Sequence, residues 1–307
     1  MFFKYLTIDM LCSICYNAYM KNYDFSRDIK LVRMCLNMSQ ADFAEQVGLS
    51  RSNIARYESG QIEPRFEASE KIFNYAYKND FDINASKTMI YDDKKGKNTL
   101  LFHGARGTID GEVDTKHSKA PNDFGDGFYL GQTLKQASMW ISAFKQSSVY
   151  CFYLKDLEKM SVLHFDVGYD WMLVILYYRQ ELEGYQLSKH LKQLIEEIEK
   201  TDIIIAPIAD NQMYDTIEAF RNNRISDVAC LHALSANNLG HQFVIKSDKA
   251  CSKLIPVDRL YLCQEERNYY LSQKEKTAKE GINKTTLAIS KYRKEGKLFD
   301  EIFKKER

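Results

Sequence analysis

The chain has 307 residues, of which 45% are hydrophobic and 13% aromatic, enough apolar material for a packed core and too much for a disordered chain. Lys and Arg number 43 against 42 Asp and Glu, a net charge of +1, which excludes a polycationic nucleic-acid coat protein and an acidic solvating protein but not a local DNA-reading surface. Four prolines and fourteen glycines exclude collagen-like and Pro-rich linker proteins, and the length suggests about two domains.

The opening stretch, MFFKYLTIDMLCSICYNAYM, is apolar, but Asp9 interrupts it and no small-x-small cleavage site follows. It reads as an amphipathic helix rather than a signal peptide or a membrane span, and no other stretch approaches 18 apolar residues, so a soluble protein without a membrane partner is expected. The seven cysteines are Cys12, Cys15, Cys35, Cys151, Cys230, Cys251 and Cys263. Only Cys12 and Cys15 form C-x-x-C, with no second pair to complete a zinc site, so no metal is expected. Free thiols imply a reducing, cytoplasmic setting.

Residues 29–65 read IKLVRMCLNMSQADFAEQVGLSRSNIARYESGQIEPR. Ser39 can cap a helix over Gln40–Val47, Gly48 supplies a turn, and Ser50 can cap a second helix from Arg51 to Ser59. Phe43, Val47, Leu49 and Ile54 supply a shared core, and Ala44 is small where two helices cross. Two short helices joined by a Gly turn form the helix-turn-helix plan, whose second helix enters the major groove.

The pattern S-Q-x-x-F-A-x-x-x-G-L-S-x-x-x-I-x-x-Y-E-S-G-x-x-x-P within this stretch resembles the Xre/lambda-repressor-like family. The resemblance implies DNA as partner, a homodimer on two half-sites, and DNA-facing positions at Gln40, Arg51, Ser52 and Arg56. Arginines there suit guanine O6/N7 or phosphate, and Gln40 adenine or phosphate. The alternative is a solvated helix surface used for protein contact.

Residues 84–98 (NASKTMIYDDKKGKN) are polar with little helical pattern and read as a linker after an all-α domain over 1–83, whose helix-turn-helix core is 27–66. Beyond it, TLLFHG, GFYLG, SVYCFYL, DIIIAPI and HQFVIKS read as strands, while TLKQASMWISAF and SKHLKQLIEEIEK read as helices. The strands are short and irregularly spaced, so residues 99–262 read as α+β rather than a doubly wound parallel sheet. From Gln264 onward 12 Lys and Arg face 8 Asp and Glu. Residues 263–307 therefore read as a charged tail, helical or partly disordered.

Rossmann, P-loop, H-E-x-x-H and G-x-S-x-G signatures are all absent. What remains is LLFHGA at 100–105 and DFGDGFYLG at 123–131. His103 ends one apolar run, Gly104 leaves room for a ligand near the backbone, and Tyr129 sits in a strand entered through Gly125 and Gly127. Taken alone, a strand-end His serves the structure as readily as a ligand.

L-x-H-G at 101–104 followed by G-x-G-F-Y-L at 125–130 resembles the ADP-ribosyltransferase superfamily, in its diphtheria-toxin/poly(ADP-ribose)-polymerase branch. HQFVIKSDKACSKLIPV resembles that family's last catalytic strand, with Gln242 where a Glu is usual. The resemblance covers the region 99–262 and implies NAD as substrate. By it, His103 bonds the ribose 2′-hydroxyl, the Gly104 backbone bonds the carboxamide, and Tyr129 stacks on nicotinamide. Gln242 orients the ribose without supplying a charge.

This chain departs from the pattern at Ala105, where Ser or Thr is usual, and at Met139, where a second Tyr is common, with Trp140 beside it as a cofactor-facing ring. Asp166 and Asp210 are spare carboxylates that also suit turns and caps. Arg106 suits a phosphate or solvent.

The resemblances together imply a mono-ADP-ribosyltransferase or NAD glycohydrolase fused to a DNA-binding domain. Such fusions resemble toxin–antitoxin or phage-defence proteins, with a protein or nucleic acid as ADP-ribose acceptor. The alternative is a transcriptional regulator whose inert transferase-like domain senses NAD or ADP-ribose.

Overall fold

The computed structural model describes residues 23–109, 112–116, 122–209, 211–236 and 239–304. Cys12, Cys15, the apolar N-terminal stretch and Asp210 lie outside the described residues. Five helices come first: α1 (Phe25–Cys35), α2 (Gln40–Val47), α3 (Arg51–Glu58), α4 (Phe66–Lys78) and α5 (Ile83–Lys94). There follow β1 (Thr99–Ala105), β2 (Phe128–Gly131), α6 (Leu134–Ile141), β3 (Ser148–Leu154), β4 (Val162–His164), α7 (Tyr169–Tyr178) and α8 (Lys189–Lys200). The chain continues through β5 (Ile203–Pro207), α9 (Asn211–Arg221), α10 (Asp227–Ser235), β6 (His241–Ile245), α11 (Asp248–Cys251) and β7 (Leu254–Tyr261). It then runs into the long α12 (Gln264–Tyr292) and the short α13 (Phe299–Ile302).

These elements form two compact units that do not follow the expected domain boundaries. The first combines the described residues of 1–111 with 133–155 and 255–273. The second combines those of 112–132 and 156–254 with those of 274–307.

In the first unit the strand order is β1–β3–β7, and β1 pairs antiparallel with β3, Phe102 opposite Cys151 and His103 opposite Tyr150. Every residue of β3 is buried, as expected of an interior strand covered on both faces. Leu100, Phe102, Val149, Cys151 and Tyr153 share one face and pack with Leu134, Ala137 and Ile141 of α6. A capping box starts α6: the Gln136 amide donates to Thr133 Oγ1 at 3.2 Å and the Thr133 amide to Gln136 Oε1 at 3.0 Å. A separate cluster built on Ile29, Val32, Phe43, Val47, Ile54, Ile72 and Phe73 holds the helix-turn-helix region together.

The segment 84–98 is not a linker. Its first eleven residues continue α5, which Asp82 caps by accepting from the Ala85 amide at 2.8 Å. The polar pattern misled because three of its polar side chains, Asn84, Ser86 and Lys87, are buried. Lys87 is fully buried, its Nζ 2.8 Å from Asp28 of α1 and 2.6 Å from Asp258 of β7. Asn84 donates to the Tyr261 carbonyl and to Glu266, each at 2.8 Å. Tyr91 closes the cluster with a 2.5 Å hydrogen bond to Asp258.

In the second unit the order is β4–β5–β6–β2, with β4 and β5 parallel and the β5–β6 and β6–β2 pairs antiparallel. The core is centred on α7, whose YDWMLVILYY run is apolar all round, so Trp171 to Leu176 are all buried. The charged C-terminal segment is helical over Gln264–Tyr292 and Phe299–Ile302, and Phe299 and Phe303 belong to this core. Gly296 (φ +83°) makes the turn before α13, where an added Cβ would overlap the Asp227 carboxylate. Among the described residues no helix is long and apolar enough to cross a membrane.

Candidate functional site

The helix-turn-helix forms as its sequence dictates. Ser39 and Ser50 accept from the amides of Asp42 and Asn53, at 3.2 and 3.1 Å, and fix the starts of α2 and α3. Gly48 takes the left-handed conformation (φ 63°) that ends α2. Arg51, Ser52 and Arg56 are exposed on α3, and Ser52 and Arg56, four residues apart, share a face. Gln40 differs from them. Its amide donates to Glu58 Oε2 at 2.9 Å, and Arg33 grips the same carboxylate at 2.6 and 3.1 Å. Gln40 thus braces α2 against α3 as well as lying at the surface.

The other group of predicted residues falls in both units. In the first, His103 is half-buried at the end of β1, directly opposite the buried Tyr150, whose hydroxyl accepts from the Ile109 amide at 2.9 Å. Gly104 has a local reason to be glycine: an added Cβ would meet the Ala137 carbonyl at 2.7 Å and Ile141 at 2.9 Å. On that side of Gly104, α6 stands where a side chain would be. Trp140 is 60% exposed in the last turn of α6, Met139 packs against the neighbouring core, and Arg106 lies 4.0 Å over the Phe144 ring.

In the second unit, the β6–β2 pairing sets Tyr129 opposite Val244 and Gly131 opposite Gln242, while β5 sets Ala206 opposite Gln242. Directly paired residues share a face, so Tyr129 and Gln242 lie on one face of this strand set, two register positions apart. The loop before β2 is pinned from several sides. The Tyr129 hydroxyl donates to the Gly125 carbonyl at 2.7 Å and accepts from the Phe124 amide at 3.2 Å. Lys246 Nζ donates to the carbonyls of Phe124 and Asp126 at 2.8 and 2.7 Å. Gly125 (φ +69°) lies against Tyr178, and Gly127 against Val244, so both glycines pack this loop closely onto its neighbours. Burial, with the nearby Asp123, raises the Tyr129 phenol far above its ordinary value and keeps it neutral. Burial likewise lowers the Lys246 ammonium.

Gln242 is 8% exposed, and its amide donates to Asp123 Oδ2 at 3.1 Å and to the Pro207 carbonyl at 3.2 Å. The other oxygen of Asp123 takes both Nε (2.9 Å) and Nη2 of Arg179. Asp123 and Arg179 were not singled out from sequence. The acidic residue opening DFGDG was a signal for the first. The second pairs across 56 residues, and nothing local announces it. Asp166 lines an open groove with Leu163, His164, Tyr169 and Asp170.

Residues 29–75 match a helix-turn-helix family model. Residues 99–255 match the model of a family described as protein of unknown function (DUF3990). No curated protein and no solved structure matches the chain. The second match covers just over half of the 307 residues, and the chain belongs to the DUF3990 family.

Proposed function

We propose that the chain is a mono-ADP-ribosyltransferase that cleaves NAD, an effector of the toxin or phage-defence kind, with its helix-turn-helix domain placing it on DNA. The reaction breaks the bond between nicotinamide N1 and ribose C1′. The electron pair leaves with nicotinamide, and an acceptor oxygen or nitrogen of protein, nucleic acid or water attacks the oxocarbenium-like carbon and loses its proton. In this reading His103 bonds the 2′-hydroxyl, the Gly104 backbone bonds the carboxamide, and the Tyr129 ring stacks on nicotinamide with Trp140 as a further aromatic contact. Gln242 holds the ribose through a neutral amide. Fixed dipoles aimed at a developing positive centre lower such a barrier without reorganising.

One observation carries the reading: the β6–β2 register sets Tyr129 and Gln242 on one face, two positions apart. The test is nicotinamide release from labelled NAD by the full chain and by His103→Ala and Tyr129→Ala. Activity in the parent, lost in both variants while they stay folded, supports the proposal.

A second reading is a transcriptional regulator whose inert domain senses NAD or ADP-ribose, and Gln242 favours it, a neutral side chain whose amide nitrogen is taken by Asp123 and the Pro207 carbonyl. NAD binding by calorimetry without nicotinamide release would select it. No binding at all would end both.

A further inference from the structure

Gln242 occupies the place where the resemblance puts a carboxylate, and its surroundings fix what it can offer. Both groups facing its Nε2, the Asp123 carboxylate and the Pro207 carbonyl, are acceptors only. The amide must therefore turn its two N–H bonds toward them. That orientation leaves Oε1 as the atom Gln242 can present to a ligand. Asp123 is in turn held by Arg179, and its side chain is only 8% exposed against 20% for Arg179. The result is a chain of charge-assisted hydrogen bonds from Arg179 through Asp123 to Gln242.

We propose that Asp123 is a positioning residue of the NAD-cleaving site, holding Gln242 so that its carbonyl oxygen accepts the hydrogen bond of a substrate hydroxyl. The inference rests on the NAD-cleaving reading above. It gives the motif DFGDG a second task beyond shaping the turn before Tyr129. It also explains how a glutamine serves here: one oxygen of the usual carboxylate is reproduced as a neutral acceptor, and the negative charge sits one hydrogen bond further back.

The arrangement makes a counter-intuitive prediction for Gln242→Glu, which restores the usual residue. The new carboxylate would lie about 3 Å from Asp123 Oδ2 and beside the Pro207 carbonyl, where two carboxylates cannot both stay ionised. Other charged or titratable groups nearby are Arg179 on Asp123, Asp126 on the same loop, Tyr129 of β2, and Tyr214, whose ring lies 4.6 Å from the Arg179 guanidinium and whose hydroxyl bonds Glu181 at 2.8 Å. None of these donates a hydrogen bond to Gln242 Nε2. One of the two carboxyls must then take a proton, and the variant recovers as pH falls.

The experiment uses the full chain in four forms: parent, Asp123→Asn, Gln242→Glu, and the double variant. Nicotinamide release and thermal unfolding are followed from about pH 5 to about pH 9, a range that spans a raised carboxyl titration. At neutral pH, Gln242→Glu is expected to lose about tenfold or more in turnover and to melt lower, both deficits shrinking toward acid pH. Asp123→Asn is expected to lose turnover and to melt lower at every pH alike, since Asn keeps one oxygen for Arg179 but turns an N–H toward Gln242 Nε2. The double variant regains turnover and melting temperature relative to Gln242→Glu, because an amide again faces a carboxylate. The melts test the pairing whether or not the protein turns over NAD. A Gln242→Glu protein as stable and active as the parent at every pH, or a double variant showing only the sum of the single losses, would overturn the proposal. A parent that is folded yet releases no nicotinamide overturns the NAD reading instead, and the positioning role with it.

Discussion

At the scale of single residues, function and packing compete for the same side chains, and Tyr129 shows how they divide. Its ring and its hydroxyl have separate tasks, so two substitutions separate them. Tyr129→Phe keeps the ring and loses the hydrogen bonds to Gly125 and Phe124, which is expected to cost about 1 kcal/mol of stability, more if the Phe124 amide is left unpaired, while NAD affinity is kept. Tyr129→Ala should lose both stability and affinity. Chemical unfolding and calorimetry on the two variants check this, and equal loss of affinity in both would remove the stacking role. On α3, Arg51→Ala and Arg56→Ala are each expected to weaken specific DNA binding by about 1–3 kcal/mol if they reach base edges. A loss equal on all sequences would make them phosphate contacts, and unchanged affinity would mean that α3 does not read DNA. His103 and Tyr129 could be picked out from sequence because Gly104 follows the first, Gly125 and Gly127 lead into the strand of the second, and the two motifs in that order resemble a known family. The reason for Gly104 could not, because it lies in Ala137 and Ile141 of α6, beyond the whole of β2 in the chain.

At the scale of elements, α2, α3, β1, β3 and α8 were readable because local rules and packing agree there. Ser caps sit before apolar periodic runs, and SVYCFYL is apolar and β-branched or aromatic where it forms an interior strand. The element α5 was hidden by the opposite circumstance. Its Lys87 looks solvated in the sequence, but it is neutralised by Asp28 of α1 and Asp258 of β7, both remote from it along the chain. Burial disfavours the charge of Asp258, but Lys87 and Arg27 outweigh it and hold the carboxyl below its ordinary 3.8. Burial also works against the Lys87 ammonium, and the two carboxylates more than offset it, raising it above 10.5. A depressed carboxyl contributes stability above its ordinary value and loses it as pH falls through the lower folded value. A raised ammonium contributes below 10.5 and loses its share as pH rises through the higher folded value. Asp258 and Lys87 should therefore contribute a plateau from about pH 4 to about pH 10, while the fully buried Asp28, raised by desolvation, works against it at the acid edge. Lys87→Met leaves two buried carboxylates sharing Arg27, and should cost about 3–5 kcal/mol on that plateau. The two tryptophans make the measurement specific. Trp171 is fully buried in the second unit, whereas Trp140 in the first is already 60% exposed. Fluorescence then follows mainly the second unit and circular dichroism follows both. In Lys87→Met the two transitions should separate, with the dichroism change beginning at lower urea. A loss under about 1 kcal/mol with coincident transitions would show that the ion cluster does not hold α5.

At the scale of the whole molecule, the helix-turn-helix region shares its compact unit with β1, β3, β7 and the start of α12, so a cut through 84–98 does not release two equivalent modules. The consequences for the two halves are unequal. In the N-terminal piece, residues 1–96, the helical core keeps every buried member except Cys263, since the rest lie between Ile29 and Ile90. Lys87 keeps Asp28 there as well. The remaining piece, 97–307, loses more. Asp258 loses Lys87, Arg27 and the Tyr91 hydroxyl together, and Glu266 loses Asn84. Arg267 and Tyr261 both lose Glu70, and the Tyr153 hydroxyl loses the Tyr91 carbonyl. A buried charge stripped of its partner costs several kcal/mol, and this fragment would carry more than one. Its second unit retains a core of its own around Trp171, so collapse should be confined to β1, β3, β7 and the start of α12. The expected outcome is a soluble 1–96 fragment that melts cooperatively and still binds DNA. Its counterpart should aggregate or bind hydrophobic dye while its Trp171 emission stays that of a buried indole. The polar composition of 84–98 pointed to independent domains, and only the long-range partners of Asn84, Lys87 and Tyr91 show why one half depends on the other. A 97–307 fragment that is monomeric, binds no dye and melts at the temperature of the full chain would show that the partners supplied by α1, α4 and α5 are dispensable, and that the DNA-binding and strand-bearing parts are joined by the chain alone.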